Sequence, residues 1–95
     1  MRTMMRVTIP VETGNAAIKN GRLPQIMASS MEKMKPESAY FTADGGSRTA
    51  YFFFDLKDQA DIPSFAEPFF MELNASVEFM PAMNADDLKK GLSKV

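Results

Sequence analysis

The chain has 95 residues, 11 basic and 12 acidic side chains, and no His, Cys or Trp. That length allows a single domain over residues 1–95, and 45% apolar with 24% charged residues is a globular composition. The missing residues exclude disulfides, thiolate nucleophiles, imidazole bases, Ser-His-Asp triads, and Cys or His ligands for zinc and haem. A net charge of −1, with Lys89-Lys90 as the densest basic cluster, speaks against a nucleic-acid partner.

Met4 to Pro10 alternates weakly, carries Val7 and Ile9, and predicts a strand that Pro10 ends. Thr13 is placed to cap a short helical stretch, Asn15 to Asn20, closed by Gly21. Leu23 opens a longer helix that runs to Pro36. Its apolar stripe is Leu23, Met27, Met31 and Met34, with Ser30 inside it. Glu37–Asp44 and Arg48–Leu56 read as strands joined by Asp44-Gly45-Gly46-Ser47, since a Gly-Gly pair supplies the positive φ of a tight hairpin. This turn sets Tyr40 opposite Tyr51, Phe41 opposite Ala50, Thr42 opposite Thr49, and Ala39 opposite Phe52.

Asp61 is placed to cap the next helix. Its face is Ile62, Phe65, Ala66, Phe69, Phe70 and Leu73, and Pro68 is expected to kink or break it before Asn74 closes it. Ser76–Met80 is a last short strand. Asn84 then caps a terminal helix with Asp86 and Asp87 at its positive end and Lys89 and Lys90 toward its negative end.

The element order β-α-β-β-α-β plus an extra C-terminal helix is the ferredoxin-like pattern: an α+β fold with a four-stranded antiparallel sheet of order 4-1-3-2. Both main helices then lie on one face of the sheet. Strand alternation sends Met5, Val7, Ile9, Ala39, Phe41, Ala43, Ala50, Phe52, Phe54, Val77 and Phe79 toward the helices. The opposite face carries Met4, Arg6, Thr8, Ser38, Tyr40, Thr42, Thr49, Tyr51, Phe53, Glu78 and Met80. Tyr, Phe, Met and Arg are the residues enriched in protein interfaces, so a second copy is expected on this face, with Arg6 and Glu78 paired within it. The plainer alternatives are an exposed face or one lying under the C-terminal helix.

Lys35–Leu56, Ala66–Leu88 and Val7–Pro24 together resemble a bacterial family of small, functionally uncharacterised proteins. That family is similar to the dimeric α+β barrel superfamily, whose ferredoxin-like protomers pack sheet to sheet. The resemblance implies a homodimeric barrel. It does not imply an activity: haem-degrading relatives use a His and a Trp, both absent here, and no catalytic motif of the cofactor-free monooxygenases or isomerases aligns.

The candidate ligand-binding residues are Tyr40, Tyr51, Glu12, Asn15 and Glu67. Paired phenols can hold a ligand or stabilise an enolate, or simply brace two strands. Glu12, Asn15 and Asn20 follow the first strand at a rim, where they contact a polar ligand or only cap and solvate. Glu67 before Pro68 is a base at a pocket mouth or a first-turn acid of a restarted helix. Arg48 is an anion contact or an exposed edge arginine. The methionine stripe packs the core or, with Phe52, Phe65 and Phe69, lines an apolar cavity.

No cofactor and no metal site is expected, since no Asp-rich calcium spacing occurs. The first ten residues lack the apolar stretch of a secretory signal and no window is apolar enough to span a membrane, so the expected location is the cytoplasm. Three functions fit: a dimeric protein binding a small apolar or aromatic molecule between helices and sheet, a cofactor-free monooxygenase or isomerase, or a structural interaction module.

Overall fold

The computed structural model describes Met1–Val95. Its elements are β1 (Arg2–Ile9), α1 (Val11–Lys19), α2 (Arg22–Met34), β2 (Ser38–Asp44), β3 (Ser47–Asp55), α3 (Ile62–Leu73), β4 (Ser76–Pro81) and α4 (Ala85–Leu92). A 3-10 turn at Gln59–Asp61 leads into α3. The fold is α+β, with one open antiparallel sheet of order β2-β3-β1-β4, consistent with the ferredoxin-like arrangement.

β1 sits centrally between β3 and β4, and its buried residues alternate strictly through Thr3, Met5, Val7 and Ile9. The β2–β3 hairpin has the register expected from its turn, with Tyr40 opposite Tyr51 and Thr42 opposite Thr49. Gly45 and Gly46 have φ of 61° and 82°, a pair of positive angles that side-chain-bearing residues adopt only at a steric penalty.

One core joins sheet and helices: Met5, Val7, Ile9, Ala50, Phe52 and Phe54 pack with Ala17, Ile26, Met34, Phe69 and Leu73. All three long helical segments therefore cover the same face. The cover stops short of the outer edge, because Phe41 and Ala43 on β2 belong to the helix-facing set yet remain exposed.

Several local expectations are corrected. α1 begins at Val11, not after Thr13: extended Pro10 turns the chain directly into helix, and the Gly14 amide donates to the Pro10 carbonyl at 2.9 Å. Thr13 therefore caps nothing, and Asn15 sits inside the helix. The buried stripe of α2 is Ile26, Ser30 and Met34, while Leu23, Met27 and Met31 are only half-buried. The helix is rotated so that Ile26 joins Met34 at the core, while Leu23, Met27 and Met31 pack against its margin. Asp61 has no capping bond. Asp58 instead accepts from the Ala60 amide at 2.9 Å, and the 3-10 turn carries the chain into α3 without a separate cap.

Pro68 does not break α3, which runs unbroken from Ile62 to Leu73 and ends at Asn74 in the left-handed region, φ 50°. Ala66, Phe69 and Leu73 anchor it to the core, which outweighs the one backbone hydrogen bond that Pro68 removes. Phe70 falls off the apolar face and is 41% exposed.

α4 stands apart. Asn84 and Asp87 form a reciprocal capping box, with bonds of 2.7 and 3.1 Å. Yet α4 has no buried residue, and Leu88 and Leu92, one turn apart, are exposed. Arg2 ties it to the sheet through Asp87 at 3.0 Å, and the Arg2 carbonyl accepts from the Ala82 amide at 3.1 Å. The molecule measures 50 × 28 × 17 Å with a radius of gyration of 14.8 Å. A compact chain of this length has a radius of about 12 Å. The excess fits a terminal arm held away from the body.

Candidate functional site

Two surfaces bring together residues that the sequence singles out. The first is the sheet face without helices. Its polar groups form one line across all four strands: Asp44 on β2, Tyr51 on β3, Arg6 on β1 and Glu78 on β4. The Tyr51 hydroxyl donates to Asp44 Oδ2 at 2.7 Å. Arg6 Nη2 and Nε donate to Glu78 Oε1 at 2.6 and 3.1 Å, the pair expected from the sequence. Met4, Phe53 and Tyr51, half-buried, and Met80 and Tyr40, exposed, surround this line. Thr8 and Thr42 complete the face, and Thr49 is buried between them.

The hydrogen bond to Asp44, together with the negative charge there, holds the Tyr51 phenol above its ordinary value near 10; neighbouring Arg6 opposes this only in part. Tyr51 thus stays a proton donor near neutrality, and its proton is already committed to Asp44. This folded-state value is raised, so its contribution to stability is complete below about pH 10 and is lost as pH climbs through the folded value. A Tyr40→Phe variant leaves Tyr51 as the sole phenol in a chain without Trp. Its phenolate absorbance is expected to rise with a midpoint above 10, and Asp44→Asn is expected to lower that midpoint; a midpoint at or below 10 contradicts the bond.

The second surface is a cleft of about 220 Å³ at the hairpin end of the sheet, lined by Ile9, Leu23, Met27, Phe41, Thr42, Arg48, Thr49 and Ala50. It opens where α2 ends its cover of β2 and β3. Larger depressions exist, of about 450 and 440 Å³, but their walls are mostly lysines, carboxylates and prolines of the outer surface. The apolar cavity expected around Met34, Phe52 and Phe69 is absent. Those side chains are buried in the closed core, and the Phe52 and Phe69 rings meet at 6.4 Å. Of the expected lining, Met27 alone reaches the cleft, while Met34 and Phe65 border one of the polar depressions.

Arg48 closes one side of the cleft. Its Nη2 donates to Asn15 Oδ1 at 2.9 Å and its Nη1 to the Val11 carbonyl at 3.4 Å, so α1 and β3 meet through this guanidinium. Gly14 permits the approach, since a Cβ there would sit 2.5 Å from Arg48 Nη1. Gly14→Ala is expected to push the flexible guanidinium off Asn15. The lost hydrogen bonds, about 0.5–1.5 kcal/mol each, nearly balance about 1 kcal/mol of gained helix propensity. Urea unfolding should therefore move by about 1 kcal/mol or less, while the Arg48 Nε–H resonance shifts; a large loss of stability contradicts this account.

The remaining candidates do not converge. Glu12 is exposed on the first turn of α1, one turn from Asn15. Asn20 closes α1, and its Oδ1 accepts from the Arg22 amide at 2.9 Å. Glu67 is exposed on the unbroken α3, in the helix layer, while Tyr40 and Tyr51 lie on the other face of the sheet. Arg48, by sequence an anion contact or an edge arginine, proves to be the residue that frames the cleft. Its only sequence signal is its place beside the hairpin turn.

No group of three or more Asp or Glu side chains is placed to hold a metal ion, and no helix is long and apolar enough to cross a membrane. Comparison with protein-family models, with curated proteins and with solved structures finds no match to the chain.

Proposed function

We propose that the protein is a homodimer whose protomers pack through their helix-free sheet faces into an α+β barrel, each binding a small apolar or aromatic molecule in the cleft between α2 and the β2–β3 hairpin. The uncovered sheet face carries this reading. A solvated antiparallel face is normally polar along each strand. Here Met4, Tyr40, Tyr51, Phe53 and Met80 surround a polar line whose members already satisfy one another, so a second copy can cover it without stranding a charge.

α4 supports the same conclusion. A helix of 8 residues is too short to hold itself in water, and this one buries nothing within its own chain. Leu88 and Leu92 thus lack a partner that a second protomer can supply.

Binding, rather than turnover, is the reading the cleft supports. Its lining is mainly apolar, and the tyrosines and carboxylates that could act as acids or bases lie elsewhere. Light scattering at micromolar concentration is expected to report twice the chain mass of 10.6 kDa. A monomer at that concentration removes the dimer.

A further inference from the structure

Four arginines punctuate the chain, and three of them face a carboxylate. Arg2 meets Glu37 and Asp87, Arg6 meets Glu78, and Arg22 meets Glu72. Arg48 meets none. Its two hydrogen bonds go to neutral oxygens, those of Asn15 and Val11. A guanidinium has five N–H donors in a rigid fork suited to a carboxylate, so donors remain free. The nearby acids do not fill this role: Asp44 is taken by Tyr51, and Glu12 forms no ion pair.

This half-buried cation borders a cleft whose walls are mainly apolar. Ile9, Leu23, Met27, Phe41 and Ala50 supply a surface for a ring or short chain, with Met27 able to adjust to its shape. An apolar cavity of about 150 Å³ is enough for benzene. About 220 Å³ therefore leaves space for a ring and a short substituent.

Resting on the reading of this cleft as a binding site, we infer that its ligand is a small aromatic or aliphatic carboxylic acid, held with its apolar part against Leu23, Met27 and Phe41 and its carboxylate on Arg48. Gly14 keeps the guanidinium low against α1, and Asn15 aims it. Charge and shape then select together: the apolar wall accepts many rings, and the unpaired arginine prefers those that carry an anion.

Phenylacetate and its neutral counterpart phenylacetamide separate the two contributions. Each is titrated into the intact protein while the methionine methyl resonances are followed by NMR, with Met27 as the reporter in the cleft. Phenylacetate is expected to shift the Met27 methyl at least about tenfold more tightly than phenylacetamide, the margin of a charge-assisted hydrogen bond over a neutral one. Arg48→Gln is expected to erase that margin. Equal binding of the two probes overturns the carboxylate assignment and leaves the apolar cleft standing as a binding site. Failure of both to move Met27 overturns the cleft itself. The acid–amide comparison uses the unaltered protein, so it holds even where Arg48→Gln disturbs the tie between α1 and β3.

Discussion

Phe69→Ala is expected to destabilise the protein by about 3–5 kcal/mol, whereas Phe70→Ala, one residue on, changes it by about 1 kcal/mol or less. Both phenylalanines stand on the apolar stripe of α3 as the sequence presents it. In the fold, Phe69 is 0% exposed and its ring lies 6.4 Å from that of Phe52, at the centre of the core. Phe70 is 41% exposed at the margin. Removing the first leaves a cavity in packing that cannot close around it; removing the second mostly returns surface to water. A domain of this size has about 5–14 kcal/mol in total, so the first change consumes a large share. The melting temperature should fall by at least about 12 °C for Phe69→Ala and by a few degrees for Phe70→Ala, at one protein concentration. Similar losses for the two would mean that α3 is seated differently.

The second large effect concerns assembly. Phe53→Glu places a carboxylate in the middle of the helix-free sheet face, next to Met4 on β1 and Ser38 on β2. In a two-fold interface the change enters twice, and each buried charge lacks a cationic partner, since Arg6 is engaged by Glu78. A loss of about 3–5 kcal/mol follows, which weakens dimerisation by at least about a hundredfold. Phe53 is outside the buried core cluster, so the protomer is expected to keep its fold and far-ultraviolet dichroism. Light scattering should then report a monomer at a concentration where the unaltered chain is a dimer. A folded variant that remains dimeric would place the interface elsewhere, with α4 and its Leu88–Leu92 pair the first surface to test.

Most parts of the fold legible in the sequence rest on interactions close along the chain. The β2–β3 register follows from two glycines at the turn, because a two-residue loop leaves the strands only one alignment. Asn84 and Asp87 satisfy each other's backbone across one turn of helix, and Asn74 takes the left-handed closing position. Arg6 opposite Glu78, 72 residues apart, is the exception: strand alternation puts both on one face, and the pairing of β1 with β4 sets them side by side.

The departures from expectation lie at helix starts and where helices seat against the sheet. Thr13 and Asp61 are good capping residues, but Pro10 starts α1 earlier, and the 3-10 turn capped by Asp58 delivers the chain into α3 without a bond from the Asp61 side chain. Of the kink or break expected at Pro68, the break does not occur, because Phe69 and Leu73 dock into the core. Ile26 joins the expected stripe of α2 at the core beside Ser30 and Met34, and Leu23, Met27 and Met31 pack at its margin, because the rotation of α2 is set by the sheet beneath it.

The candidate site divides in the same way. Tyr40 and Tyr51 are recognisable as a pair, since both flank one hairpin. The cleft is not, because its walls come from β1, α2, β2 and β3, and Arg48 acquires its setting only when α1 folds back across the sheet to bring Asn15 within 2.9 Å.

By itself, the sequence determined the element order, the hairpin register, the helix-closing residues and the chemistry this chain lacks, all set by local sterics, hydrogen bonding or residue inventory. Tertiary structure alone decided which phenylalanine is core, that no cavity opens around Phe52, and that Arg48 is the arginine left without a carboxylate. Those outcomes depend on how helices seat against a sheet. Burial and charge pairing between segments tens of residues apart are properties of the packed whole, which no local window of sequence encodes.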